Sequence, residues 1–155
     1  MKKEMLSLNS WIKEAVAWQQ PLDEFLIDYN MRELECSQED LLAKMQEMLD
    51  VMEKSVEHGL TGFRSHSGLT GGDAKKLAAA AGAEGFVNLL GEKALDAVIY
   101  ATAVGECNAA MGRIVAAPTA GASGVLPGVF FALKKHCGLD DATLQRGMVV
   151  AGSIG

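Results

Sequence analysis

The segment Arg113–Gly128 reads Arg-Ile-Val-Ala-Ala-Pro-Thr-Ala-Gly-Ala-Ser-Gly-Val-Leu-Pro-Gly. It contains the end of one apolar run, at Pro118, and the start of the next, at Val125. The glycines and the proline between the runs allow tight turns, and Thr119 and Ser123 supply hydroxyl groups. Because the second run can begin a helix, its free N–H groups would face this loop, which suits a carboxylate or a phosphate. A small-residue turn that lets two helices pack closely has the same pattern.

Outside this loop the chain is patterned as helices separated by glycine-rich connections. Its 155 residues allow one domain with a core, and with 6% aromatic residues and 17 glycines the composition favours close helix–helix packing. No strand-like alternation or repeat is present. The sequence therefore predicts an all-α fold, a single helical domain of about six to seven helices joined by Gly-rich loops. The predicted helices are Met5–Gln19, Leu22–Leu34, a helix opened by Ser37 that runs to about His58, Ala74–Ala81, Glu92–Gly112, Val125–His136 and Asp140–Ile154.

Several helix ends carry recognisable signals. Ser37, three residues before Asp40, is typical of a capping box. Asp73 is predicted to cap the helix that follows it, and Gly59 is expected to end the long helix in a left-handed conformation. Because the chain ends at Gly155 inside an apolar helix, we expect the domain to be incomplete at its C-terminus.

Composition excludes several classes of function. The net charge of −6 argues against a nucleic-acid binder, since no basic stripe is present to neutralise phosphates. No run approaches the roughly 20 apolar residues of a membrane span, and no apolar signal-peptide core follows Met1-Lys2-Lys3-Glu4. The three cysteines fit a reducing, cytoplasmic environment. None belongs to a Cys-x-x-Cys unit, so we expect buried or semi-buried thiols and no metal site; they are Cys36, Cys107 and Cys137.

Three ordered stretches resemble a known family. They are Arg113–Gly128, the segment Gly59–Leu77 centred on Ser-Gly-Leu-Thr-Gly-Gly-Asp-Ala-Lys-Lys-Leu, and the segment Glu-Cys-Asn-Ala-Ala-Met-Gly that begins at Glu106. Together they resemble the alpha chain, or alpha domain, of the iron–sulfur-dependent L-serine dehydratases, over roughly Leu41 to Gly155. We accordingly divide residues 1–155, the N-terminal part of such a domain, into a helical extension, 1–36, and a family-like core, 37–155.

The resemblance implies an enzyme that deaminates L-serine to pyruvate and ammonia, with an iron of a [4Fe–4S] cluster acting as Lewis acid on the substrate hydroxyl. The family's alpha chain is about twice this length, and its cluster cysteines follow the equivalent of Gly155. The chain is thus interpreted as supplying substrate-binding loops but no cluster ligand, and as inactive alone. The implied partners are L-serine, a beta chain or beta domain and further copies in an oligomer, in the cytoplasm, with no nucleic acid or membrane.

Three segments with short polar groups beside glycines are predicted to converge: Ser65–Asp73, Glu106–Asn108 and Pro118–Gly124. Asn108 points about 200° away from Glu106 on a helix, so Asn108 is preferred and Glu106 is interpreted as a partner of Arg113 or a surface charge. His66 is expected in solvent, and the catalytic base is not assigned. The predicted substrate-binding residues are Thr70, Gly71, Asp73, Asn108, Thr119, Ala120, Gly121 and Ser123.

Two other functions remain open. A pyridoxal-phosphate lyase would need a Schiff-base lysine in an apolar setting, but the lysines considered as candidates stand in charged pairs or beside an acid. These candidates are Lys75, Lys76, Lys93, Lys134 and Lys135. The other is a non-catalytic helical interaction module or an inactive fragment. Colour discriminates between the two enzymes, since an internal aldimine is yellow and an iron–sulfur protein is brown.

Overall fold

The computed structural model describes residues 7–155, and all regular structure in that range is helical. The predicted all-α fold is therefore confirmed, as is the predicted number of about six to seven helices, since the described residues form seven. The start of the predicted helix Met5–Gln19 and the segment Met1–Glu4 lie outside the described residues. The seven helices of the described chain are α1 Leu8–Ala17, α2 Leu22–Leu34, α3 Gln38–Leu60, α4 Asp73–Ala81, α5 Glu92–Ala109, α6 Val125–Cys137 and α7 Asp141–Ile154.

The chain divides into two compact units. The described part of the first unit comprises residues 7–46 and 141–155, and the second unit comprises residues 47–140. The first unit contains α1, α2, the start of α3, and α7, whereas the second contains the rest of α3 with α4, α5 and α6. No helix among residues 7–155 is both long enough and apolar enough to cross a membrane.

The first unit is built on a small apolar core. In this core the ring of Trp11 packs against the ring of Tyr29, with 5.8 Å between the two ring centroids. An ion pair supports the packing of α2 against α7: Arg146 donates to Asp23 at 2.7 Å. Burial opposes ionisation of Asp23, but the hydrogen bond and the charge of Arg146 outweigh it and hold the pKa of that carboxyl below its ordinary value. The buried core residues are Trp11, Ala15, Phe25, Leu26, Ile27, Leu41 and Val149.

The predicted capping box at the start of α3 is present. The Ser37 hydroxyl accepts from the backbone N–H of Asp40 at 3.1 Å and donates to the Asp40 carboxylate at 2.6 Å. The hydrogen bond from Ser37 lowers the pKa of Asp40, since it favours the ionised carboxylate.

The predicted end of α3 at Gly59 is wrong. Gly59 lies buried within the helix, which continues to Leu60, and the left-handed glycine is Gly62, with φ of +77°. A Cβ at Gly59 would collide with the backbone carbonyl of Ala103 in α5. The missing side chain of Gly59 therefore allows α3 and α5 to approach closely, a role that only tertiary packing reveals.

Helices α5 and α6 pack through glycines and alanines in the second unit. A Cβ at Gly128 would lie 2.6 Å from the carbonyl oxygen of Ala97 and 3.0 Å from the Cβ of Ala101. A Cβ at Gly124 would also collide with the carbonyl of Ala101. Gly124 and the first turn of α6 therefore lie directly against α5, which agrees with the small-residue turn between closely packed helices.

Candidate functional site

The C-terminal end of α5 holds the first glycine-rich loop through a buried carboxylate. Glu106, only 8% exposed, accepts hydrogen bonds from the backbone N–H groups of Gly72 at 3.0 Å, Asp73 at 2.6 Å and Ala74 at 3.4 Å. The interpretation of Glu106 as a surface charge or a partner of Arg113 is therefore wrong, because its carboxylate faces the first turn of α4.

Glu106 performs the capping that was predicted for Asp73. Asp73 is the first residue of α4, and the N-cap is Gly72, with φ of +91° and no side chain to offer. The Asp73 carboxylate is exposed and lies 2.9 Å from the ammonium of Lys76, whose hydrogen bond lowers the pKa of Asp73. The prediction that Asp73 caps the helix is therefore wrong, and its carboxylate is left at the surface beside the loop.

The loop that leads into α4 is closed by internal hydrogen bonds. Ser65 donates its backbone N–H to the carbonyl of Thr70 at 2.8 Å, and its hydroxyl accepts from the backbone N–H of Thr70 at 3.2 Å. Gly71 has φ of +117°, and a Cβ there would collide with the carbonyl of Phe63. Thr70 and His66 are exposed on this loop, and for His66 this is the predicted position.

Asn108 connects α5 to the second loop. Its side-chain amide donates to the backbone carbonyl of Ala120 at 3.2 Å. The hydroxyl of Ser123 donates to the same carbonyl at 2.7 Å, and Ser123 is buried. The Ser123 hydroxyl is thus engaged within the loop.

The exposed face of the second loop is formed by Thr119, Ala120 and Gly121. The Thr119 hydroxyl accepts from the backbone N–H of Ala122 at 3.2 Å. Pro127, in the first turn of α6, has no N–H, which reduces the number of donors at that helix start.

Helix α5 therefore joins both loops from residues two positions apart. Glu106 contacts the loop before α4, and Asn108 contacts the loop before α6. The opposite directions expected for these two side chains on one helix explain why each contacts a different loop. All three predicted segments lie in the second unit.

The cysteines do not form a metal site in the described chain. Cys36 is half-buried and Cys107 is buried, where desolvation raises the pKa of the Cys107 thiol. Cys137 is exposed, with Lys93 Nζ 3.6 Å from its sulfur, so the expectation of a buried or semi-buried thiol is wrong there. Within residues 7–155 no three His, Cys, Asp or Glu side chains are grouped closely enough to hold a metal ion.

Comparison with known proteins identifies the family. The family model described as serine dehydratase alpha chain matches residues 3–155. The chain belongs to the serine dehydratase alpha-chain family. The predicted resemblance is thereby confirmed, and the match begins well before Leu41.

Relatives of this alpha-chain family carry consistent names. The chain is 42% identical over 134 residues to a probable L-serine dehydratase alpha chain of Bacillus subtilis, covering 86% of this chain and 44% of the relative. It is 29% identical over 133 residues to the L-serine dehydratase alpha chain of Peptoniphilus asaccharolyticus, covering 85% and 45%. The chain thus spans about half the length of these curated relatives. No solved structure matches it.

Proposed function

We propose that this chain supplies substrate-binding loops to an L-serine dehydratase, the enzyme that deaminates L-serine to pyruvate and ammonia. Family membership and the names of the relatives support the reaction class. The observation that carries the proposal is geometric: Glu106 and Asn108, two residues apart on α5, each hold one glycine-rich loop. One helix, α5, therefore contacts both predicted binding segments near its C-terminal end.

The charges of the two loops favour one orientation of L-serine. Thr70 in the loop before α4 and Asp73 at the start of that helix are exposed on either side of Gly71, and the Asp73 carboxylate suits the substrate ammonium group. The segment Arg113–Gly128 contains no acidic residue, so its exposed backbone suits the substrate carboxylate.

Within the second loop we propose two kinds of contribution. Thr119, Ala120 and Gly121 form the exposed contact surface. Asn108 and Ser123 both donate to the carbonyl of Ala120, so they keep that surface in the conformation that receives the substrate.

The family's [4Fe–4S] cluster does not fit the cysteines described above. Cys107 lies in the interior, 3.8 Å from the carbonyl oxygen of Arg113, and Cys137 is on the surface beside Lys93. We therefore propose that the cluster ligands lie outside this chain. The proposed partners are L-serine, a beta chain or beta domain and further copies in an oligomer, acting in the cytoplasm.

The alternative pyridoxal-phosphate enzyme gains no support from the lysines. Lys75, Lys76, Lys93 and Lys135 are exposed, and Lys134 is half-buried. None has the enclosed apolar setting that a Schiff-base lysine needs.

Steady-state kinetics on L-serine test the proposed site in the complete enzyme that contains this chain. Thr119→Val is expected to lower kcat/KM roughly ten- to a hundredfold, because a hydrogen bond of about 1.5–3 kcal/mol to a charged substrate group is lost. Ser123→Ala is expected to lower kcat/KM roughly two- to tenfold, because it loses a neutral hydrogen bond of about 0.5–1.5 kcal/mol that holds the Ala120 carbonyl. The exposed control His66→Gln should change kcat/KM less than about threefold. Iron and sulfide are measured in each variant, so that loss of the cluster is not mistaken for loss of binding.

The opposite pattern would contradict this assignment. If His66→Gln abolishes turnover at full cluster content while both loop variants remain near wild type, the reacting base lies in Ser65–Asp73. If the unmodified complete enzyme does not deaminate L-serine, the proposed reaction itself is wrong.

A further inference from the structure

The carboxylate of Glu106 is a buried charge whose hydrogen-bond partners are all distant in sequence. Burying a carboxylate is costly unless hydrogen bonds replace its hydration. The N–H groups of residues 72–74 do so from 32 to 34 positions away in the sequence. The positive end of the α4 dipole adds to the stabilisation. This contact ties the C-terminal end of α5 to the loop before α4.

At Gly71 and Gly72, between its internal hydrogen bonds and the start of α4, the loop has no side chain of its own to restrain it. Gly71 and Gly72 both have positive φ, and neither has a side chain that could cap the helix. Two consecutive glycines lose much conformational entropy when they are ordered. The contact with Glu106 begins at Gly72, directly after Gly71, and so holds the chain at two consecutive glycines that have no side chains of their own to fix it.

We propose that Glu106 is a positioning residue that fixes the loop Ser65–Gly72 and thereby sets the affinity of the enzyme for L-serine. This inference rests on the proposed function, since it assumes that Thr70, Gly71 and Asp73 contact the substrate. Glu106 acts through the backbone N–H groups it binds. One carboxylate oxygen of Glu106 accepts from Gly72 at the end of the loop, and the other accepts from Asp73 in α4. Because both oxygens are engaged in this way, we propose no proton-transfer role for Glu106.

The experiment compares Glu106→Gln with a matched buried control in the complete enzyme. Gln keeps the shape of the side chain but replaces one acceptor oxygen by an NH2 group, which would face a backbone N–H donor. The control is Ser55→Ala: Ser55 is buried in the second unit, and its hydroxyl donates within α3 to the carbonyl of Met52. It therefore removes a buried hydrogen bond that does not reach the loop.

Two readouts are measured on each variant. Hydrogen–deuterium exchange at the amides of residues 65–77 should accelerate roughly ten- to a hundredfold in Glu106→Gln and less than about threefold in Ser55→Ala, since a charged hydrogen bond is lost only in the former. The KM for L-serine should rise at least about tenfold in Glu106→Gln while kcat stays within about threefold, because ground-state positioning is lost. A general loss of stability would not produce this split.

The outcomes separate the inference from the function on which it rests. Unchanged exchange at residues 65–77 in Glu106→Gln, or faster exchange with an unchanged KM, overturns the positioning role. An unmodified enzyme that does not act on L-serine overturns the proposed function, and the exchange result still decides whether Glu106 restrains the loop. If Glu106→Gln does not fold, Glu106→Asp is measured in its place; its carboxylate is retracted by one methylene, so the same changes are expected in smaller amount.

Discussion

Replacing Gly128 by alanine tests the close approach of α5 and α6. The new Cβ would lie 2.6 Å from the carbonyl oxygen of Ala97 and 3.0 Å from the Cβ of Ala101. A comfortable separation between nonbonded heavy atoms is about 3.5 Å, so the helices must shift by several tenths of an ångström or more. Because the first of these contacts is with backbone, no side-chain rotation can relieve it.

Two opposing contributions set the magnitude. Overpacking of this kind costs about 1–3 kcal/mol, and the backbone contact places Gly128 in the upper part of that range. Alanine in place of glycine inside a helix stabilises it by about 1 kcal/mol. The net expectation for Gly128→Ala is a loss of about 1–2 kcal/mol in the free energy of unfolding, or roughly 2–8 °C in Tm for a chain of this size.

Gly105→Ala is the matched control. Gly105 is exposed on α5, and a Cβ there would meet no atom within 4 Å. This variant should gain about 0.5–1 kcal/mol from helix propensity alone. Urea unfolding followed by far-UV circular dichroism measures both changes. Stabilisation by both substitutions would refute the reasoning, because it would mean that α5 and α6 are not in contact at Gly128.

Two further predictions concern the termini of α3 and the surface of α5. Ser37→Ala should lower the free energy of unfolding by about 1 kcal/mol in the same urea titration, because the capping box of α3 loses its hydroxyl. An unchanged free energy of unfolding would show that this cap does not stabilise α3. Asp96 pairs with Lys135 and His136; burial opposes its ionisation, but these hydrogen bonds outweigh burial and lower its pKa below 3.8. The stabilisation from a lowered pKa is present above the ordinary value and is lost as pH falls through the folded-state value. Between about pH 6 and about pH 3, Asp96→Asn should therefore lose less stability than the wild type; an equal loss would show that the pairs of Asp96 do not contribute.

The helices could be predicted from the sequence because their signals are local. Apolar spacing, apolar runs and the glycine-rich breaks between them located the seven helices of residues 7–155, and the spacing of Ser37 and Asp40 identified a cap whose partners are three residues apart. The prediction that Gly59 ends α3 is wrong because the signal that decides its role is not local. Its role depends on Ala103 in another helix, and no rule based on neighbouring residues distinguishes a helix-ending glycine from one that admits a second helix.

The segments of the candidate site could be predicted from the sequence, but the hydrogen bonds that connect them to α5 could not. The glycine-rich loops and Asn108 could be predicted as candidate binding groups because short polar groups beside glycines are a visible pattern. The role of Glu106 was missed, although one signal was available. Glu106 lies three residues after Ala103 on the buried face of α5, and a buried acid needs donors. The α4 start, with glycines and no capping hydroxyl, could supply those donors.

The sequence by itself determined the all-α class, the positions of the helices, the family and the segments that carry the short polar groups. These properties depend on residues within a few positions of one another or on the order of motifs along the chain. Only the tertiary structure decided that Glu106 caps α4, that Asn108 and Ser123 hold the carbonyl of Ala120, and that glycines admit neighbouring backbones. The physical reason is that a hydrogen bond or a collision depends on distance in space, and the packing of α5 against its neighbours brings together groups that lie up to tens of residues apart.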